Sequence, residues 1–303
     1  MLQLKQYEKE EIDNVVSIGV IMFGLLGDVL LRTPVIDALK KIYPDATVTV
    51  LVDNIGFEVF KNNPKVDTII KVSRSRKPRY KYLLNKITTI YKVRKKKFSL
   101  LIDLYNNDST KLVTKLSSAK YKLGFSSEKG QYCYNIMSDV NVIESENNSM
   151  TMGYLKILYP LMPTLDYSIQ PTLVVRDETL KTIQSYLDGF NVSSNGLYML
   201  NLGSRDIEKT FKSSNYLKIV EYMYEKYSFV PLIVKNPSQE YLQENFIKDY
   251  LLLNSCEYIK LKSLSIEEIG AMMKIVKFIV TPDTGLLHIA SAVKLPTIGL
   301  FTY

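Results

Sequence analysis

The sequence predicts an α/β protein with two domains, each built on a doubly wound parallel sheet. Short apolar and β-branched runs alternate with amphipathic helical segments along nearly the whole chain, as they do in parallel sheets with crossover helices. The alternation is interrupted once, where Pro160, Pro163 and Pro171 punctuate a stretch of little periodicity. We therefore expect one domain over residues 1–170 and a second over residues 171–303.

The first domain begins with a near-continuous apolar run at residues 15–23, which is typical of a strand covered on both faces. A glycine-containing turn leads into helical periodicity over residues 29–42, and Tyr43 and Pro44 mark its end. The same alternation continues as far as the prolines. It predicts strands at residues 47–52, 68–72, 98–104 and 121–125, and helices at residues 55–61, 109–116 and 150–161.

The second domain repeats this alternation of strands and helices. Ser265, with Glu268 three residues later, forms a capping box that predicts the start of a helix over residues 265–273. The other predicted helices cover residues 178–187, 215–227, 238–250 and 286–293. The predicted strands cover residues 197–202, 229–234, 278–280 and 297–301.

Composition limits the class of protein. With 46% hydrophobic and 23% charged residues, the chain has the composition of a soluble globular protein. Its first 13 residues are too polar for a signal peptide, and the most apolar stretch, residues 18–31, is too short to span a bilayer. The two cysteines lie far apart and show neither a disulfide framework nor metal-ligand spacing. We expect a cytoplasmic protein.

A turn near the end of the sequence carries candidate binding residues. Asp283, Thr284 and Gly285 stand between a predicted strand and the helix that follows it. Free N–H groups and the positive end of the helix dipole meet at such a position, which suits an anionic ligand. Asp283 can also accept hydrogen bonds from sugar hydroxyls. A purely structural alternative exists, because Asp and Thr are good N-caps and Gly permits a tight turn.

Common cofactor motifs are absent from the sequence. Neither the G-x-G-x-x-G dinucleotide fingerprint nor a G-K-[ST] phosphate loop occurs. A dinucleotide-dependent oxidoreductase is therefore the least favoured class of enzyme, and we predict no cofactor.

Three separated motifs, in order, resemble one enzyme family. Residues 27–34 read Gly-Asp-Val-Leu-Leu-Arg-Thr-Pro, residues 201–211 form a polar loop after a strand, and residues 281–288 read Thr-Pro-Asp-Thr-Gly-Leu-Leu-His. Together they resemble the signatures of glycosyltransferase family 9, the heptosyltransferases. The resemblance implies a GT-B fold, in which two Rossmann-like domains face a cleft. It also implies inverting transfer of a sugar, usually heptose, from an ADP-sugar to the inner core of a bacterial lipopolysaccharide.

The resemblance implies roles for individual residues. Asp28 matches the general base that takes a proton from the acceptor hydroxyl, although its position at the start of a helix also suits an N-cap. Lys209 would offset charge that develops on the leaving diphosphate, and Asp283 would hold donor hydroxyls. No D-x-D metal motif occurs, so lysine and helix ends replace a metal in this interpretation. The predicted donor-binding residues are Ser204, Arg205, Lys209, Glu240, Asp283, Thr284, Gly285 and His288.

The sequence leaves two alternatives to this function open. The donor could be another nucleotide sugar, because no residue pattern identifies the sugar itself. Family members usually continue beyond the last strand, whereas this sequence ends at Tyr303. A catalytically silent module that binds a nucleotide or a saccharide is therefore the second alternative.

One segment supplies the whole positive excess of charge. The net charge is +8, and residues 71–97 contain 12 Lys or Arg and no Asp or Glu. A solvated helix face is the ordinary explanation of such a run, and no nucleic-acid-binding motif accompanies it. We favour attraction to an acidic glycolipid acceptor and to anionic lipid at the inner face of the cytoplasmic membrane. The candidate residues for this surface are Arg74, Arg76, Lys77, Arg79 and Lys81.

Overall fold

Two parallel sheets organise the chain, each in its own compact unit, Met1–Pro171 and Thr172–Tyr303. The structure is a computed structural model that describes residues 12, 14–74, 77–139, 149–166, 168–190, 196–204, 211–236, 239–251 and 257–301. All strand pairs in both sheets are parallel, and helices alternate with the strands. The predicted α/β class with two doubly wound sheets is therefore confirmed.

The first sheet has six strands, and its first strand lies in the middle. The strands are β1 (Ser17–Ile21), β2 (Thr47–Val52), β3 (Thr68–Lys71), β4 (Leu100–Asp103), β5 (Tyr121–Phe125) and β6 (Ile136–Ser138). Their spatial order is β3-β2-β1-β4-β5-β6. Strands β2 and β3 thus lie on one side of β1, and β4, β5 and β6 lie on the other. β1 is therefore the topological switch point of the sheet, and ligands of open α/β sheets bind beyond the carboxyl ends of the strands at such a point.

In the described part of the first unit, six α-helices alternate with these strands. They are α1 (Leu26–Leu31), α2 (Thr33–Ile42), α3 (Asn54–Phe60), α4 (Arg79–Lys96), α5 (Asp108–Leu116) and α6 (Met150–Leu155). The side chains of Ile18, Val20 and Ile21 on β1 are fully buried, because a central strand is covered on both faces. This burial accounts for the continuous apolar run from which the strand was predicted.

The second sheet repeats this topology with five strands. They are β7 (Gly196–Leu200), β8 (Phe229–Ile233), β9 (Ile259–Lys260), β10 (Ile279–Pro282) and β11 (Thr297–Leu300). The spatial order is β11-β10-β7-β8-β9, so β7 takes the central place that β1 has in the first sheet. The carboxyl ends of β7, β8 and β10 consequently lie side by side.

Tyrosine and phenylalanine rings pack among aliphatic side chains in the core of the second unit. Its helices are α7 (Asp177–Asp188), α8 (Ser213–Tyr227), α9 (Glu240–Phe246), α10 (Ile266–Ile275) and α11 (Gly285–Ala292). Tyr198 stacks on Phe278 with ring centroids 4.9 Å apart, and Tyr216 meets Phe246 edge-on at 6.2 Å. Such offset and edge-on pairs add to the free energy gained from burying the rings.

The helix predicted over residues 29–42 is interrupted at Arg32. Pro34 lacks an N–H group, so the hydrogen bond that it would donate to the Leu30 carbonyl in a continuous helix cannot form. The Thr33 hydroxyl donates to that carbonyl instead, at 2.8 Å. Pro34 then lies in the first turn of α2, where a missing donor costs nothing. The chain therefore forms two helices that meet at Arg32.

Other predicted elements differ from the structure in length. The helix predicted over residues 150–161 ends at Leu155 and continues as a 3₁₀ turn, Lys156–Leu158. The helix predicted over residues 238–250 begins as α9 and changes into a π-helical turn, Ile247–Leu251. Strands β6 and β9 were not predicted, because two or three residues are too few to show an alternating pattern.

No helix among the described residues is both long enough and apolar enough to cross a membrane.

The start of α10 combines two polar arrangements. The predicted capping box forms, since the Ser265 N–H donates to the Glu268 carboxylate at 2.7 Å and the Glu268 N–H donates to the Ser265 hydroxyl. The neighbouring Glu267 has a buried carboxylate that accepts from Arg176 Nε at 2.9 Å and from the Thr179 hydroxyl at 2.8 Å. This ion pair ties α10 to the start of α7.

We predict that Arg176→Met lowers the free energy of unfolding by about 1–3 kcal/mol, because it removes the guanidinium that donates two hydrogen bonds to the buried Glu267 carboxylate. Urea unfolding of the whole chain measures the change. Lys181→Met, which replaces an exposed residue of the same helix, is the matched control and should change the value by less than about 0.5 kcal/mol. Equal stability of the two variants would contradict the assigned role of Arg176.

Candidate active site

The turn after β1 presents a carboxylate at the switch point of the first sheet. Gly24 has φ +151°, and a Cβ built there would lie 2.8 Å from the Asp28 Cβ and 3.0 Å from its Oδ2. Asp28 Oδ2 accepts a hydrogen bond from the Leu25 N–H at 3.0 Å. Glycine at position 24 thus provides both the backbone conformation and the space that the Asp28 side chain requires.

Asp28 is not the N-cap residue itself, but its side chain does take part in capping the helix, as the structural alternative expected. The N-cap of α1 is Leu25, which has no side-chain acceptor, and Asp28 is the third residue of the helix. Its carboxylate reaches back to the N-cap backbone, which is the acidic half of a capping box. This single hydrogen bond orients a partly exposed carboxylate that retains further lone pairs for a ligand.

Arg32 fixes the turn from behind. It is only 6% exposed, and its guanidinium donates to the Phe23 carbonyl and, at 3.0 Å, to the Tyr154 hydroxyl. The guanidinium also lies 4.4 Å from the centroid of the Tyr154 ring, a cation–π distance. Because Phe23 immediately precedes Gly24, this buried cation holds the backbone from which the Asp28 turn departs. Arg32 belongs to the first motif, but no local pattern in the sequence indicated a role for it.

A cavity of about 220 Å³ lies near this turn, at the carboxyl ends of β1 to β4. Apolar strand residues form one wall, and the inner face of α4 and the start of α5 form the others. The lining combines aliphatic, aromatic, amide and cationic side chains, including Leu51, Phe23, Tyr105, Asn85, Asn107 and Arg74. Such a mixture suits a polar ligand with some apolar surface, such as a saccharide.

Among the predicted surface cations that the structure describes, Arg74 lines this cavity. It donates to the Asp53 carboxylate at 3.2 Å and to the Tyr105 hydroxyl. Its guanidinium also lies 4.7 Å from the Tyr105 ring centroid and 5.5 Å from that of Phe23. A guanidinium held between a carboxylate and two aromatic rings is oriented, unlike a freely mobile surface cation.

The other cations predicted for this surface are placed differently. Lys77, Arg79 and Lys81 are exposed just before α4 or in its first turn. Arg76 lies outside the described residues. The four predicted cations that the structure describes are therefore not placed alike, because Arg74 lines the cavity while Lys77, Arg79 and Lys81 face solvent.

Asp103, at the end of β4, shapes the loop beside the cavity. Its fully buried carboxylate accepts from the N–H groups of Tyr105 and Asn106, each at 3.0 Å, and from the Tyr134 hydroxyl at 2.8 Å. Burial raises the pKa of Asp103, and burial together with the nearby carboxylate raises the pKa of Tyr134. Asp103 was not among the predicted site residues, although a strand that ends in Asp before polar residues is a usable signal.

In the second unit, Asn201 connects two of the predicted motifs. It is buried at the end of β7, and its Nδ2 donates to the Thr281 hydroxyl at 2.9 Å and to the Thr284 hydroxyl at 3.3 Å. Its Oδ1 accepts from the Gly203 N–H at 3.4 Å. One amide thus holds both the loop after β7 and the turn after β10. Asn201 belonged to a predicted motif but had been given no role.

The turn after β10 begins α11 without a side-chain cap. Thr284 is the N-cap of α11, yet its side chain makes no capping bond and contacts the Thr281 hydroxyl at 3.1 Å instead. The capping alternative for the Thr284 side chain is therefore wrong. Gly285 is the first residue of α11, Asp283 precedes the cap, and His288 lies one turn further along.

Ser204 and Glu240 lie near this turn along the same sheet edge. Ser204 is buried four residues after β7, in the loop that Asn201 holds. Glu240 begins α9 beyond β8, and its carboxylate pairs with Lys235 at 2.5 Å. Gly203 passes so close to α9 that an added Cβ would lie 2.5 Å from Gln239 Oε1. The ends of β7, β8 and β10 thereby gather these predicted residues, whereas Arg205 and Lys209 lie outside the described residues.

Known proteins share this architecture. The glycosyl transferase family 9 structure from Veillonella parvula superposes with a TM-score of 0.82 at 19% identity, covering 94% of this chain and 80% of that one. The structure of the Escherichia coli heptosyltransferase WaaC with ADP-2-deoxy-2-fluoro heptose has a TM-score of 0.71 at 14% identity, covering 94% and 88%. These neighbours identify the fold as GT-B.

Sequence comparison identifies the family. The model of glycosyltransferase family 9 (heptosyltransferase) matches residues 88–303. Lipopolysaccharide heptosyltransferase 3 of Escherichia coli is 22% identical over 280 residues, which cover 91% of this chain and 80% of that protein. The chain belongs to glycosyltransferase family 9 and is a glycosyltransferase, which confirms the resemblance found in the sequence.

We predict that Arg32→Lys lowers kcat about tenfold to 100-fold, with little change in the KM of the donor. The reason is that Lys lacks the planar guanidinium that holds the Phe23 carbonyl and the Tyr154 hydroxyl together behind the Asp28 turn. Stability should fall by about 1–3 kcal/mol, so kcat is measured at a temperature where the variant is folded. Lys40→Arg, which alters a side-chain hydrogen bond to the Ala46 carbonyl elsewhere in this unit, is the control. Wild-type kcat in a folded Arg32→Lys variant would remove Arg32 from the positioning role.

Proposed function

We propose that the protein is an inverting transferase that moves a heptose from ADP-heptose to an acceptor of the lipopolysaccharide core type. The observation that carries this proposal is the Asp28 turn, a partly exposed carboxylate held at the switch point of the first sheet. Membership of the heptosyltransferase family and the ADP-sugar bound to the related WaaC structure support the donor. The names of the curated relatives support the acceptor class.

In this mechanism Asp28 is the general base. An acceptor hydroxyl is a weak nucleophile until a positioned base removes its proton during attack. The hydroxyl oxygen attacks the anomeric carbon from the face opposite the diphosphate, and the bond from that carbon to the diphosphate oxygen breaks. The proton passes to Asp28, ADP leaves with the bonding electrons, and the anomeric configuration is inverted.

The turn after β10 holds the donor in this proposal. The N–H groups in the first turn of α11 have no acceptors within the helix, and with the helix dipole they favour a diphosphate beside Thr284 and Gly285. Asp283 accepts hydrogen bonds from sugar hydroxyls, and His288 contacts the donor from the next turn. Asn201 supports this arrangement because it fixes Thr284 relative to the loop after β7.

The remaining donor contacts come from the loops after β7 and β8. Lys209, with Ser204 and Arg205, stabilises the negative charge that develops on the leaving ADP. Glu240 binds the ribose of the donor. To do so, its carboxylate has to share or break its ion pair with Lys235. We therefore propose that residues 1–170 bind the acceptor and that residues 171–303 bind the nucleotide sugar.

We also propose that the enzyme is cytoplasmic and attaches peripherally to the inner face of the cytoplasmic membrane. The basic run at residues 71–97 supports this placement, because its charge matches both anionic lipid and an acidic glycolipid acceptor. Arg74 is suited to an acidic group of the acceptor, since it is oriented at the cavity. Lys77, Arg79 and Lys81, with Arg76, contribute to the surface that faces the lipid.

We predict that Asp28→Asn lowers kcat about 10²–10⁴-fold, because Asn cannot accept the proton. Its stability should change by less than about 1 kcal/mol, since Asn keeps an oxygen for the Leu25 N–H. Transfer from ADP-heptose is measured beside a melting curve, with UDP- and GDP-sugars as alternative donors.

The control for this experiment is Asp37→Asn on the neighbouring helix α2. It removes a carboxylate that pairs with Lys65. It should retain nearly full turnover and most of the stability, because Asn keeps an oxygen that can accept from Lys65 and the half-exposed Lys65 can turn to water. Near-normal turnover of the Asp28→Asn variant would contradict the base assignment. Turnover of only a UDP- or GDP-sugar by the wild type would contradict the proposed donor.

A further inference from the structure

Helix α4 has an ordinary inner face that packs on the first unit. Tyr82, Asn85, Thr89 and Val93 recur at intervals of three or four residues and so lie on one side of the helix. Thr89 and Val93 are buried, and Val93 belongs to the same apolar cluster as the buried Phe98. Tyr82, Asn85 and Thr89 also line the cavity at the sheet edge. This face accounts for how the helix is attached to the protein.

The opposite face of α4 is apolar as well, and it is exposed. Five large apolar or aromatic residues on this face are each between 55% and 65% exposed. They also recur at intervals of three or four residues, so they form one continuous stripe from the first turn of the helix to the fourth. The outer stripe consists of Tyr80, Leu83, Leu84, Ile87 and Tyr91.

Such a stripe is unusual on a free protein surface. A surface helix normally turns charged and polar residues to solvent and reserves its apolar face for the core. Single exposed apolar residues need no explanation, whereas contiguous ones mark a surface that meets a partner or a membrane. The outer stripe is contiguous along about three turns, so it is a candidate contact surface.

Cations border the outer stripe on both sides. At 100° per residue, Lys81, Lys92 and Lys95 lie beyond one edge of the stripe and Arg79 lies beyond the other. Arg94 lies in line with the stripe, just after its last member, Tyr91. All five are exposed, and the sequence has no Asp or Glu anywhere from residue 71 to residue 97. A partner that complements this face must therefore offer apolar groups to the stripe and negative charges to the cations beside it.

We infer that α4 inserts its outer stripe into the interfacial region of an anionic bilayer. Helices that lie in a membrane interface combine an apolar face with flanking Lys and Arg, which is the pattern here. Tyr80 and Tyr91 stand near the two ends of the stripe, and tyrosine favours the level of the lipid headgroups. The inference deepens the proposed peripheral attachment, on which it rests, by naming the element that enters the lipid.

A second copy of this chain fits the stripe less well. A symmetric contact between two α4 helices would bring the same row of cations together from both sides. Like charges at an interface oppose association unless acidic groups separate them, and this segment has none. Charge complementarity therefore favours anionic lipid over self-association as the occupant of the outer stripe.

The chain contains no tryptophan, so Leu84→Trp creates a single fluorescent reporter on the outer stripe. With vesicles that contain phosphatidylglycerol, we expect its emission to shift to the blue and to be quenched by brominated lipid. Tyr241→Trp, at a 53% exposed position of α9, is the matched control and should show neither effect. Sedimentation of the same samples measures the fraction bound to the vesicles.

A second set of variants separates insertion from attraction between charges. Leu83→Gln, Leu84→Gln and Ile87→Gln together keep good helix formers on the outer stripe but remove its apolar character. We expect this triple variant to bind the vesicles at least tenfold more weakly, also at high salt, where charge attraction is screened. Its turnover with ADP-heptose and a water-soluble acceptor should equal that of the wild type.

The possible results distinguish insertion from its rivals. Sedimentation with the vesicles without a blue shift would overturn insertion while leaving peripheral attachment standing. No binding to the vesicles would overturn both, and transfer to a soluble acceptor would still test the enzyme activity separately. A blue shift that needs no lipid and grows with protein concentration would indicate self-association and would also overturn the inference.

Discussion

The candidate site depends on one constraint, the parallel pairing of strands around a central strand in each sheet. Because β1 pairs with β2 on one side and β4 on the other, the turn after β1 emerges where strand addition reverses. Arg32 then fixes that turn through the Phe23 carbonyl, and Asp28 projects from it. In the second sheet β7 has the same central place, and Asn201 at its end connects the turn after β10 to the loop after β7.

Helix α4 has one face at the cavity and the opposite face at the protein surface. The inner face lines the cavity at the carboxyl edge of the first sheet, and the outer stripe faces away from the protein. If the outer stripe lies in the membrane interface, the cavity sits directly behind the helix that touches the lipid. An acceptor carried by a lipid could then reach Arg74 without leaving the bilayer surface. Membrane attachment and acceptor binding would thus share one helix.

Local patterns predicted most of the fold, because continuous apolar runs and helical spacing record which faces are covered. They could not predict the break at Arg32, which follows from the missing N–H of Pro34, or the position of Asp28 within α1 rather than at its cap. The roles of Arg32 and Asn201 depend on partners 122 and 80 residues away, Tyr154 and Thr281, which no local pattern reveals. The outer stripe escaped notice because spacing alone cannot tell an exposed apolar face from a buried one.

The central claim is that one carboxylate base drives direct displacement at the anomeric carbon. The stereochemistry of the product tests this claim most directly. The anomeric configuration of the transferred sugar is determined by nuclear magnetic resonance, beside that of the ADP-heptose supplied. A direct displacement predicts that the configuration in the product is opposite to that in the donor. A product with the configuration of the donor would contradict the account, because retention requires a different mechanism from a single displacement assisted by Asp28.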